Sequence, residues 1–165
     1  MKKNQVLSLA RGGLIAALYV ALTYASFLFG LSSGAIQLRL SEMLTVLPAF
    51  LPESIPGLYI GCIIANLLTG GSIYDILLGS LATLIGAFGA RLLRSTHPLL
   101  ITLPTVLANA LIVPLVIILS AGGAETFASY PFFFLTVGIG EFLSAGVLGW
   151  ICHRAIEKNK ILPKL

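Results

Sequence analysis

The chain has 165 residues, 58% of them hydrophobic and 10% charged, with a formal net charge of +4 and a mean hydropathy of +1.02. Charge that sparse cannot coat a water-facing surface, so a soluble domain is excluded and one all-α integral membrane domain over 1–165 is expected. The net charge reads as membrane orientation and not as nucleic-acid binding.

Lys2, Lys3 and Arg11 lead into an apolar run at 12–31, a layout shared with secretory signals, and SSGA at 32–35 has the small residues of a cleavage site. The run exceeds the about 7–15 residues of a signal core and approaches the roughly 20 that span a bilayer. A retained first helix at about 12–30 is therefore expected. Its Gly13, Ala17, Ala21 and Ala25 recur every four residues and line one side. Packing inside the chain competes with an external partner as the account of this stripe; the absence of a polar residue needing burial favours the partner.

The next segment, IQLRLSEMLTVLPAF at 36–50, places Gln37, Arg39, Ser41 and Glu42 in an otherwise oily region. Ile36, Leu38 and Leu40 alternate with Gln37, Arg39 and Ser41, the period of an extended strand with one oily and one polar face. As a helix, 41–51 rises only about 17 Å against a hydrocarbon core of about 30 Å. An extended first loop that dips in as a lid before the helix begins would supply the missing length. For Arg39 and Glu42 a superficial ion pair is the competing account, and Glu42 can also complement a helix dipole. Arg39 favours function, because a cation at the outer side runs against the topology bias.

Further apolar stretches at 55–69, 73–93, 98–121 and 131–153 bring the expected count to six membrane helices, separated by turn chemistry in LPESIPG, TGGS, RSTHP and AGGAE. With the N-terminus inside, Lys2, Lys3, Arg11, Arg91, Arg94, Arg154, Lys158, Lys160 and Lys164 all fall at cytoplasmic ends, leaving Arg39 alone outside. Both termini are therefore expected in the cytoplasm. Glu42, Asp75 and Glu125 fall towards the outer side, Glu53 and Glu157 inside.

The later segments carry polar stripes. Tyr59, Cys62, Asn66 and Thr69 share one face, and Thr102, Thr105 and Asn109 another. Hydrogen bonding between helices, worth about 0.6–2 kcal/mol per contact, accounts for Tyr59, Thr69, Thr102 and Thr105; for Asn66 and Asn109 that reading and a functional one stand side by side. Asp75 heads a stripe with Gly79, Ala82, Gly86 and Gly89 or Ala90, and can also complement a helix start capped by Ser72. Glu141, in a stripe with Gly138, Ala145 and Gly149, falls ten residues from Pro131, roughly 15 Å deep. A charge at that depth costs several kcal/mol unless paired and marks a functional site by default.

Cys62 and Cys152 have no metal or disulfide spacing and read as packing residues, while His97 and His153 read as solvated or snorkelling at the cytoplasmic boundary. Phosphate-loop, zinc-protease and CxxC patterns are absent, as is a nucleophile–base spacing, so neither an enzyme nor a cofactor is expected, and ATP-driven work would fall to other subunits.

The run IQLRLSEMLTVLPAFLPESIPGLYIGCIIANLLTGGSIYDILLGSLATLIGA at 36–87, supported by AALYVALT at 16–23, resembles the QueT family of substrate-binding S components of energy-coupling factor (ECF) transporters, linked to queuosine precursors. The resemblance implies a six-helix S-component fold in the bacterial cytoplasmic membrane, with the polar face of 36–42 lining a ligand cavity. It also implies docking of an AxxxA pattern, here Ala17 and Ala21 extended by Gly13 and Ala25, on a transmembrane T subunit served by two soluble ATPases. A 7-deazaguanine ring presents an N–H and an NH₂ side by side, which one carboxylate accepts together. On that basis Glu141 is expected to take this edge, Asn109 or Asn66 the carbonyl edge, and Arg39 to help close the lid beside Gln37. Asp75 or Glu42 would balance an aminomethyl cation. An S component for another vitamin-like heterocycle and a proton-coupled carrier using Glu141 remain the alternatives.

Overall fold

The run behind Arg11 contains no proline and ends just before Gly30, whose φ of 69° favours a residue without a Cβ, and it folds as one helix, α1 (Lys3–Leu28). The computed structural model describes residues 3–32, 36–122 and 125–159. Lys2, Lys160, Lys164, the 33–35 part of SSGA and the 123–124 part of AGGAE lie outside the described residues. The 26 residues of α1 span about 39 Å, enough to cross a bilayer. It starts at Lys3 and not at 12 because the polar residues before Arg11 are mostly straight-chain or small and pay little for helical geometry.

All regular structure among the described residues is helical: α1, a 3-10 helix (Leu40–Ala49), α2 (Ser54–Leu68), a π segment (Asp75–Gly79), α3 (Ser80–Leu92), α4 (Pro98–Ser120), a short 3-10 turn (Phe127–Ser129), α5 (Tyr130–Glu141), a second π segment (Phe142–Leu148) and α6 (Gly149–Asn159). Four stretches, Asn4–Leu28, Asp75–Leu92, Pro98–Ser120 and Phe127–Asn159, are long and apolar enough to cross a membrane. The regions expected as the second and third spans form the 3-10 helix and α2, both shorter than the roughly 20 residues a lone span requires.

The 3-10 helix is the hub. All of it but Leu40 and Met43 is buried, and it packs against α1, α2, α3, α4 and α6. Pro48 inside it lacks the N–H that an α-helix would use, and the tighter winding gives about 20 Å from ten residues where an α-helix gives about 15 Å. Its last carbonyls, of Pro48 and Ala49, each accept from Arg91 Nη1 at 3.4 Å, a cation at the negative end of a helix.

Small residues set the helix spacing. A Cβ at Gly61 would stand 3.0 Å from the Ala16 carbonyl oxygen and Tyr19 Cβ, so α1 and α2 touch backbone to backbone there. Likewise Gly86 abuts Thr105, and Gly89 takes the Pro104 ring, fitting α3 against α4. The predicted Gly79, Ala82, Gly86 and Ala90 stripe is thus an internal seam, with all four buried.

Arg11 pairs with Glu53 at 3.2 Å, and Arg94, His97 and Arg154 line one cavity with Ala49 and Phe50, so one end of the bundle gathers the basic residues. His97 Nδ1 accepts from the Leu99 N–H at 3.4 Å and caps α4. His153 departs from the expected solvated or snorkelling ring: it is buried, its ring centroid 4.7 Å from that of Phe50 and its Nδ1 3.5 Å from Glu157. An imidazole facing inward from α6 meets the 3-10 helix before it can reach water.

Candidate functional site

At the opposite end, a cavity of about 410 Å³ opens between α1, the 36–39 segment, α2 and α4. Gln37, Arg39, Asn66, Thr69, Asp75 and Ser120 supply polar lining, and Phe27, Val113, Val116 and Ile117 an apolar wall. That volume lies within the about 300–1,000 Å³ of small-molecule sites, and the mix of apolar wall and few polar groups is typical of them.

Arg39 has extended backbone, with φ −108° and ψ 102°, as the alternation predicted. Its guanidinium reaches across to α2 and the first π segment, with Nη1 donating to Asn66 Oδ1 at 3.4 Å and Nη2 4.0 Å from Asp75 Oδ1. The Arg39–Glu42 surface pair is therefore not what forms; Arg39 points inward and takes a partner far along the chain. The oily face of the segment is only partly covered, for Ile36 remains exposed.

Beyond the cavity-lining Arg39, Glu42 and Glu141 are each 4% exposed or less. Glu42 Oε1 accepts from the Tyr19 hydroxyl, and Glu42 Oε2 has no hydrogen-bond partner among the described residues. Glu141 Oε2 accepts from Asn109 Nδ2 at 3.3 Å. Both carboxylates and Arg39 lie within electrostatic range of one another. The structure thus brings Glu42, Asn109 and Glu141 together as a buried group, and Gln37, Arg39, Asn66 and Asp75 as the lining of the cavity next to it.

Local structure explains the placement. Ser72 N–H and Oγ donate to Asp75 Oδ2 at 3.0 and 2.7 Å while Asp75 N–H returns to Ser72 Oγ at 3.2 Å, a reciprocal cap at the start of the π segment. Asn66 Nδ2 donates to the Asp75 carbonyl at 2.8 Å, so this asparagine fastens α2 to that segment besides meeting Arg39. Each π segment starts beside a carboxylate, at Asp75 and just after Glu141. The wider i→i+5 winding re-aims the side chains there, and such bulges are frequent at functional sites.

Three predicted inter-helix hydrogen bonds do not form. Thr69 and Thr102 donate to carbonyls of their own helices at 2.9 Å, and Thr105 Oγ1 has no partner among the described residues because Gly86 presses against it. Missed from sequence is a polar rail on α1. The Tyr19 hydroxyl binds Glu42, the Thr23 and Ser41 hydroxyls meet at 2.7 Å, and Ser26 Oγ accepts from the Leu40 N–H at 2.9 Å. Its signal was the 19, 23, 26 spacing of hydroxyls in an apolar helix. Cys62 also joins the site, accepting from Thr83 Oγ1 at 3.4 Å.

On the outside of α1, Gly13, Ala17 and Ala21 are exposed and Ala25 half-buried; a Cβ at Gly13 would meet nothing within 4 Å. A groove of about 670 Å³ runs along Gly13, Ala17 and Ala21 between α1 and α2. The seam with α2 uses Gly12 and Ala16 instead.

The profile of the family described as "QueT transporter" matches residues 9–158. The chain is similar to "Queuosine precursor transporter QueT" of Lactococcus lactis subsp. cremoris, 39% identical over 85 residues, which are 52% of this chain and 50% of that protein. The match thus spans about half the length of that curated relative. No solved structure matches the chain at a significant level. The family match takes in α1 from its second turn, the cavity, both π segments and nearly all of α6, and the chain belongs to the QueT transporter family.

Proposed function

We propose that this chain is the substrate-binding S subunit of an ECF-type importer that captures a queuosine precursor, a 7-deazaguanine-type base such as queuine, from outside the cell. The observation that carries the reading is the buried Glu42, Asn109 and Glu141 group beside a polar cavity at the end of the bundle remote from its clustered basic residues. Carboxylates removed from water inside a membrane bundle are costly unless a solute or partner meets them. Glu141 accepts the N–H and NH₂ edge of the ring, Asn109 serves the carbonyl edge, and Gln37 and Arg39 on the 36–42 lid close over the base.

In this reading the 3-10 helix with its extended lead-in and α2 complete six membrane segments, both termini lie in the cytoplasm, and the membrane is the bacterial cytoplasmic one. The Gly13, Ala17, Ala21 and Ala25 stripe, exposed but for the half-buried Ala25, docks on a transmembrane T subunit, and two ATPases in that complex hydrolyse ATP; the chain is not itself an enzyme. Uptake of a labelled 7-deazaguanine base by cells expressing the chain tests this. Uptake should vanish without the ATPases and survive collapse of the proton gradient. The reverse pattern would replace the proposal with a proton-coupled carrier.

A further inference from the structure

The basic end of the bundle has a cavity of its own, about 520 Å³, between the turn that joins α3 to α4 and the helix α6. Ala49 and Phe50, where the 3-10 helix ends, form part of its wall, and Arg94, Ser95, His97 and Arg154 supply donors. Among the described residues neither arginine forms an ion pair: Glu53 takes Arg11, and Glu157, the carboxylate that lines the cavity, stands 3.5 Å from His153. Arg154 Cζ lies 6.0 Å from the centroid of the Trp150 ring, and tryptophan is enriched where a bilayer meets water. The 23-residue α4 begins at this cavity with its positive end, since His97 and Pro98 both line it. His97 Nδ1 accepts from the Leu99 N–H, so the ring proton lies on Nε2 and makes that nitrogen a donor. Thr96 adds no donor, because its hydroxyl is spent on the Leu93 carbonyl at 2.7 Å. Close in sequence to these residues, Leu92, Leu99 and Ile151 are exposed apolar side chains.

We propose that this cavity binds the phosphate of an anionic phospholipid headgroup, held by Arg94 and Arg154 and assisted by His97 and Ser95. Guanidinium groups match phosphate oxygens two at a time, and a basic pocket between membrane helices is suited to a headgroup. Free phosphate would meet the same donors; the exposed Leu92, Leu99 and Ile151, which give acyl chains a surface, favour the lipid. A headgroup seated there ties the turn between α3 and α4 to α6 and to the end of the 3-10 helix, whichever base the opposite cavity takes.

The test is native mass spectrometry of the full chain in detergent, titrated with dioleoylphosphatidylglycerol, with dioleoylphosphatidylcholine and with inorganic phosphate. Choline sets a further cation among the arginines, so one phosphatidylglycerol per chain should bind roughly 10- to 30-fold more tightly than phosphatidylcholine. The double variant Arg94→Gln with Arg154→Gln should lose that preference and keep the parent Tm in lipid-free detergent. Lys158→Gln, which removes an exposed charge of α6 that does not line the cavity, should keep the preference. If the double variant does not fold, Arg94→Gln and Arg154→Gln singly should each reduce the preference several-fold. Equal binding of the two lipids by the parent, a preference that survives removal of the arginines, or an equal loss in Lys158→Gln would overturn the site. Displacement of phosphatidylglycerol by millimolar inorganic phosphate would overturn the lipid as occupant and assign the donors to the free anion.

Discussion

Gly140→Ala offers a sharp test of how the 36–39 segment is seated. A Cβ at Gly140 would lie 3.0 Å from the Gln37 carbonyl carbon and 3.3 Å from its nitrogen, with the carbonyl oxygen closer still. Those are backbone atoms and cannot rotate away, so the 36–39 segment must move outward. Two residues earlier on the same helix, a Cβ at Gly138 would meet Ala110 Cβ at 3.7 Å, an ordinary contact. Both substitutions gain the same roughly 0.5–1 kcal/mol of helix propensity, so their difference isolates the overlap. Overpacking costs about 1–3 kcal/mol, which at ~2–4 °C per kcal/mol sets Gly140→Ala roughly 2–12 °C below Gly138→Ala in Tm. Thermal unfolding in detergent, followed by calorimetry with the base, reads both effects, and ligand affinity should fall only in Gly140→Ala. Equal Tm and equal affinity in the two variants would refute the seating of the 36–39 segment on α5.

Other perturbations act on separate parts. Tyr19→Phe removes the hydroxyl that donates to Glu42 Oε1 and should destabilise the chain by about 1–3 kcal/mol, visible as a lowered Tm. Ser72→Ala removes the reciprocal cap on Asp75 and should cost about 0.5–2 kcal/mol, with faster amide exchange in the 75–79 segment as the local readout. Ala17→Leu fills exposed space on the outer face of α1, so folding and base binding should be unchanged while ATP-dependent uptake by the assembled transporter is lost; unimpaired uptake would remove the proposed docking stripe.

Some buried positions were legible in residue types alone. Glu141, within a small-residue stripe of a long apolar stretch, was expected deep in the bundle and is buried; Glu42 is buried too, where a superficial ion pair and a helix-dipole role had stood beside the ligand role. The seam of Gly79, Ala82, Gly86 and Ala90 followed from four-residue spacing, since only small side chains let two helix backbones approach. Winding was not legible. A 3-10 helix at Leu40–Ala49 and π segments at Asp75–Gly79 and Phe142–Leu148 differ from α-helix by a fraction of a residue per turn, too little to alter an apolar pattern over five to ten positions. Nor were the partners of Arg39 legible, because Asn66 and Asp75 lie 27 and 36 residues on and are brought in by α2 and the Ser72 cap. The threonine hydroxyls were misjudged for a related reason: on an isolated helix the nearest acceptor is the helix's own carbonyl, and Thr69 and Thr102 both take it.

The central claim is that the buried carboxylates hold a 7-deazaguanine base. Native mass spectrometry of the chain, released from membranes with whatever ligand it carries, measures this most directly. The expected spectrum shows one bound molecule with the mass of a 7-deazaguanine derivative, absent when Glu141 is replaced by glutamine. A different heterocycle by mass, or the same adduct retained in Glu141→Gln, would contradict it.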